Sequence, residues 1–174
     1  MGRYDESKKS SGAKGKKFGH VGRVEDPYLP EEGQEASICT DCNALYQSKR
    51  WFFDEKLAKR LAGTDKVRPV VCPTCRKVKE QYPEGYLTLS GAFFAERKDE
   101  VVTLLNNEAA RVSSRSVMDR VITMTEEGKD QMVVKTTTEK LAQHLGRAVY
   151  RAYKGELDFR WSETNPLVRV YWTR

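Results

Sequence analysis

The sequence predicts an α+β protein made of two unlike parts. Three observations point to it. All four cysteines fall in two Cys-x-x-Cys pairs, residues 118–174 read as hairpin, helix and two more strands, and residues 1–37 have almost no apolar periodicity. The 174 residues are lean in apolar content, 39% against 32% charged, with a mean hydropathy of −0.70. No apolar run approaches the roughly 20 residues of a membrane span. The opening MGRYDESKKSSGAKGKKFGH has no apolar core of a secretory signal. Met1-Gly2 lacks a hydroxyl residue at position 6, where Glu6 stands, so myristoylation is not expected. A cytoplasmic address is the expectation.

Residues 1–37 are rich in Gly, Ser, Lys and Glu and are read as a disordered tail. Residues 1–23 carry seven bases and two acids, and residues 24–38 carry five acids and no base. Residues 39–80 return to a net +5, within a chain total of +6. Basic blocks around an acidic one suit a polyanionic partner, with the acidic stretch as spacer or mask.

Residues 38–90 hold Cys39-Thr-Asp-Cys42 and Cys72-Pro-Thr-Cys75, 29 residues apart. Each pair sets two thiolates close together, and two such knuckles complete a four-sulfur site of the zinc-ribbon kind. Soft thiolates suit zinc, and a closed set leaves no open position for catalysis. An iron–sulfur centre on the same cysteines is left open by residue type. The long gap must carry structure of its own, from Trp51, Phe52 and a helical stretch at Leu57–Leu61. Phe52, more than Trp51, is expected in the small core.

Residues 92–112 have apolar positions at helical spacing, with Ser90 placed to cap them, so a linker helix is expected over 91–117. From Arg120 to Thr136 the pattern is a hairpin turning at Glu126-Glu127-Gly128-Lys129. Thr136 and Glu139 have capping-box spacing ahead of a helix over about 138–153, with Leu141, Leu145, Ala148, Val149 and Ala152 on one face. Two strands follow Gly155, alternating at Leu157, Phe159, Trp161 and at Val168, Val170, Trp172. The unit over 118–174 is thus β-β-α-β-β.

No nucleophile–base pair or phosphate loop is visible, and the protein is expected not to be an enzyme. The bases are better organised. Lys140, His144, Arg147, Arg151 and Lys154 fall on one helix face, about 110° round the axis from the apolar one. Such a stripe fits a phosphate track on RNA. Arg160, Arg169 and Tyr171 point away from the apolar strand face and extend it. Arg50 beside Trp51 offers a base next to a stacking ring.

The CTDC and CPTC motifs, the hairpin ending QMVVKT, the passage TTTEKLAQHLGRAVYRAYKGELDFRW and the end LVRVYWTR span residues 38–174. In this order they resemble the zinc-binding part of the large-ribosomal-subunit nuclear export adaptor family, and most of all its small bacterial zinc-ribbon relatives. The resemblance implies binding to rRNA or the large ribosomal subunit. Eukaryotic adaptors carry more cysteine pairs and an export signal that has no match here, so nuclear export is not implied. The expectation is a zinc-binding, RNA-binding, ribosome-associated protein acting in assembly, quality control or stasis. Zn2+ would sit on Cys39, Cys42, Cys72 and Cys75. The alternatives are a protein-interaction module docking through the 92–112 helix, or a DNA-binding regulator.

Overall fold

The computed structural model describes residues 36–174, so the expected tail lies outside it up to residue 35. The elements in chain order are β1 (Ser37–Cys39), β2 (Leu45–Gln47), β3 (Arg50–Phe52), α1 (Glu55–Leu61), β4 (Arg68–Val70), α2 (Pro73–Lys79) and β5 (Gly85–Ser90). They continue with α3 (Ala92–Glu96), α4 (Lys98–Ser113), β6 (Val121–Glu126), β7 (Gln131–Thr136), α5 (Glu139–Tyr153), β8 (Glu156–Trp161) and β9 (Val168–Thr173).

The strands form two sheets. The smaller has the order β3-β2-β1-β4, and the larger β6-β7-β5-β9-β8. In each, one parallel pair joins strands distant in sequence, β1 with β4 and β5 with β9, and the other pairs are antiparallel.

The larger sheet has five strands where the sequence suggested four. Its middle strand is β5, from the segment assigned to the ribbon. Leu87 and Leu89 on β5 are fully buried and lie beside Val134 and Met132 on β7 and Val170 and Trp172 on β9. The alternation of GYLTLS belongs to a half-buried strand, but its partners are remote in sequence and only the fold supplies them.

The 92–112 segment is likewise no linker. It is split at Arg97 into α3 and α4, and Phe94, Val101, Leu105 and Ala109 are buried in the core with Leu141, Leu145 and Val149 of α5. Its apolar face is spent inside the protein, which removes the docking face of the protein-interaction alternative. Ser90 does not cap it; its hydroxyl bonds the Thr173 hydroxyl at 2.8 Å, and the N-cap is Gly91 at φ +105.

Helix α5 lies on the inner face of this sheet. Its cap is Thr138, whose Oγ1 accepts from the Leu141 amide at 3.2 Å, and not Thr136. Thr136 ends β7, where it is fully buried and its hydroxyl donates to the Thr138 carbonyl at 2.8 Å. Leu141, Leu145, Ala148 and Val149 are buried as expected, whereas Ala152 is exposed beyond the sheet. On edge strand β8, Trp161 is 48% exposed.

The two sheets are tied by residues 114–120. Arg120 Nη1 donates to the carbonyls of Ser113, Ser116 and Asp119, each at 3.0 Å. Val117 in the same segment is buried among Cys39, Ala44 and Cys72. Lys77 of α2, 3% exposed, is ion-paired with Glu84 at the entrance to β5. Breaking such a buried pair by removing one partner costs about 3–5 kcal/mol.

Helix α5 comes close to the sheet at Gly146, where a Cβ would stand 2.7 Å from Val170 Cγ1. Gly146→Val should therefore lower stability by about 3 kcal/mol, the upper end of ordinary overpacking. Chemical denaturation measures it, and an unchanged midpoint would contradict this packing.

Candidate metal centre and basic surfaces

Strands β1 and β4 run parallel, with Cys39 paired to Val70. Two parallel strands end at the same edge, so the chain after each emerges at one place. After β1 it turns through Thr40-Asp41-Cys42, with the Cys39 amide bonded to the Ala44 carbonyl at 2.8 Å and Asn43 at φ 59. After β4 it enters α2, with Cys72 as N-cap, Pro73 at the first helical position and Cys75 in the first turn. Proline there needs no amide and sets φ for the helix. The second pair thus sits at a helix start, unlike the first. The Thr40 amide bonds the Val70 carbonyl at 2.9 Å, and Lys79 pairs with Asp41 at 2.7 Å, latching one motif to the other.

The result is a cluster of four sulfur atoms all within 4.8 Å of one another, with Cys39 and Cys72 buried and Cys42 and Cys75 half-buried. Cys42 and Cys72 Sγ are 3.7 Å apart, and all four cysteines are free thiols. A tetrahedral ion with metal–sulfur bonds of about 2.3 Å requires sulfur separations of about 3.8 Å. The Cys72 and Cys75 amides donate to Cys39 Sγ at 3.3 Å and to Cys72 Sγ at 3.4 Å. Donor set, spacing and amide bonds all fit a single soft metal ion.

The thiols also show what the cluster is like without one. A hydrogen bond from Cys72 lowers Cys42 to about 5. That same bond, with burial, pushes Cys72 up, and burial with the nearby Cys42 charge raises Cys75 to about 12. With Cys42 charged, Cys72 and Cys75 keep their protons. A cation reverses this by displacing them.

Trp51 packs against this cluster, with its ring 5.3 Å from Tyr46, and its indole Nε1 is buried without a partner among the described residues. Half-buried, as Phe52 also is, Trp51 joins the cysteine core although Phe52 was the more expected of the two. Arg50 beside it is exposed.

Four of the five helix bases stand together. Lys140, His144, Arg147 and Arg151 line an open groove of about 350 Å3 together with Val112 of α4 and the acid Asp119. His144 Nε2 lies 2.7 Å from Glu108 Oε2, and Arg111 reaches the same carboxylate at 2.5 Å. Arg111 and then His144 hold the Glu108 carboxyl below its usual range. Lys154 stands outside the groove as the C-cap, at φ 59, with Nζ 5.8 Å from the Tyr150 ring.

Arg160 and Arg169 do not extend that groove. They lie on the face of the large sheet opposite α5, because their neighbours Phe159, Val168 and Val170 face the helices. Among the described residues no helix is long and apolar enough to cross a membrane.

Metal uptake should release at least the protons of Cys72 and Cys75, so affinity should rise by at least roughly 100-fold per pH unit near neutrality. Titration with zinc in weakly and strongly ionising buffers measures the number. Cys39→Ser with Cys72→Ser should abolish metal uptake and speed hydrogen exchange over residues 37–80 while β5–β9 stay protected. Equal protection in both parts would show that the cysteines are not what holds the smaller sheet. Comparison with protein-family models, with characterised proteins and with solved structures gave no match, so the four-cysteine site and the basic surfaces are what the chain itself offers.

Proposed function

We propose that this is a non-catalytic, zinc-stapled RNA-binding protein whose target is the large ribosomal subunit. Zinc is favoured because four thiolates so close together enclose one ion, whereas a multi-iron cluster would spread its ligands further. With all four positions filled by protein, the ion holds the fold and does no chemistry on a substrate. The smaller sheet needs such a staple. Its strands are three residues each, and the cysteines themselves form much of its buried centre.

The observation that carries the RNA reading is the groove between α4 and α5. Lys140, Arg147 and Arg151 border one opening there, and among the described residues none of the three has an ion-pair partner. Bases left without acids on a folded surface favour a polyanion and bind it through counterion release. The resemblance noted above supplies the ribosome as the particular RNA. A cytoplasmic site of action belongs to the same proposal.

The test is sedimentation with ribosomes at about 50 and about 300 mM salt. Comigration with the large subunit should be lost as salt rises. Lys140→Ala/Arg147→Ala/Arg151→Ala should weaken binding and reduce the log–log salt slope by about 3, one for each phosphate contact. Absence of the protein from ribosomal fractions at both salts overturns the reading.

A further inference from the structure

The face of the large sheet turned away from α3, α4 and α5 carries an ordered set of side chains. Strand register places Thr123, Lys135, Tyr86, Arg169 and Arg160 in one row across all five strands. The next row is Thr125, Val133, Thr88, Tyr171 and Asp158. Val133 is buried at the centre, while Lys135, Tyr86 and Tyr171 are half-buried and Arg160 and Arg169 are exposed.

The first row has three bases and no acid. Arg160 and Arg169 stand directly opposite each other on neighbouring strands, an arrangement that destabilises a sheet unless something negative joins it. Asp158 in the second row answers Arg160 alone, at 2.8 Å from its Nε. Lys135 and Arg169 have no ion-pair partner among the described residues. Each arginine rests instead on a tyrosine ring, Arg169 5.7 Å from the centre of Tyr86 and Arg160 4.9 Å from that of Tyr171.

Resting on the RNA reading above, we propose that this open sheet face is a platform for single-stranded RNA, distinct from the helix groove. Tyr86 and Tyr171 each stack one base, and Lys135, Arg169 and Arg160 take the phosphates between and beside them. A base displaces a guanidinium from its ring because base–aromatic stacking is stronger than an exposed cation–π contact. The freed guanidinium turns to the phosphate. Unpaired bases are required, since those of a duplex hide their faces in the stack. The sheet face and the helix groove lie on opposite sides of one layer, so the platform is a second contact and not a continuation of the first.

The test uses the full chain and fluorescence anisotropy with two probes, a labelled oligouridylate of about 12 nucleotides and an RNA duplex of the same length. Wild type and Tyr86→Phe/Tyr171→Phe should bind the single strand alike. Tyr86→Ala/Tyr171→Ala should lose roughly 10- to 100-fold for the single strand and nothing for the duplex. Photocrosslinking of a 4-thiouridine oligonucleotide to the wild type, which needs no variant to fold, should mark Tyr86 and Tyr171. The platform is overturned if the alanine variant keeps wild-type affinity for the single strand, or if crosslinks fall only on α5. Duplex binding without single-strand binding overturns the platform and leaves the broader RNA reading standing. Binding to neither probe, with no comigration with ribosomes, overturns both.

Discussion

Four cysteine sulfurs within 4.8 Å of one another are the constraint on which the smaller half of this protein depends. Negative charges so close repel, and Cys72 and Cys75 keep their protons while the hydrogen bond from Cys72 holds Cys42 low. A dication turns that repulsion into attraction. The gain matters because few apolar side chains are buried there besides the cysteines, among them Ala44, Leu45, Tyr46, Ala58 and Val67. The strands are three residues long, and the ring that packs on the cluster, Trp51, leaves its Nε1 without a partner among the described residues. Without such an ion the apolar contacts would have little with which to offset the entropy of ordering the chain.

Parallel pairing does the positioning in both halves. Between β1 and β4 it brings two cysteine motifs to one edge across more than thirty residues of chain. Between β5 and β9 it closes the large sheet, with Leu87 beside Val170 and Leu89 beside Trp172. The halves then share residues 114–120, where Val117 enters the cysteine cluster and Arg120 ties off three carbonyls. Lys77 and Glu84 add a buried ion pair close to the same joint. Loosening of the metal site would therefore be felt at Glu84, whose backbone bonds Thr136 and Val168 at 3.0 Å each.

On the proposed reading the larger half is a layer with two working sides. The helix side presents Lys140, Arg147 and Arg151 around a groove, suited to phosphates in a folded RNA. The sheet side presents tyrosines and bases in register, suited to unpaired bases. Ribosomal RNA offers both kinds of target, helices and exposed single-stranded loops. A thin layer that touches each with a different face needs no cleft.

By itself the sequence determined the elements whose signals are local. The CxxC pairs, the β6–β7 hairpin with Gly128 in its turn, the 3.6-residue pattern of α5 and the alternation of β8 and β9 are each written in a few consecutive residues. Such patterns depend only on the chain's own periodicity. The tertiary structure decided what depends on remote partners. It put GYLTLS in the middle of the large sheet and drew Phe94, Val101 and Leu105 into the core. It also packed Trp51 against the cysteines and parted Arg160 and Arg169 from the helix groove. Tyr86 and Lys135 were not legible as members of the proposed platform for the same reason: Tyr86 comes beside Arg169, and Lys135 beside Tyr86, only when β5 pairs with β9 and β7. A strand's periodicity tells which residues share a face, and only pairing tells which face of which sheet that is.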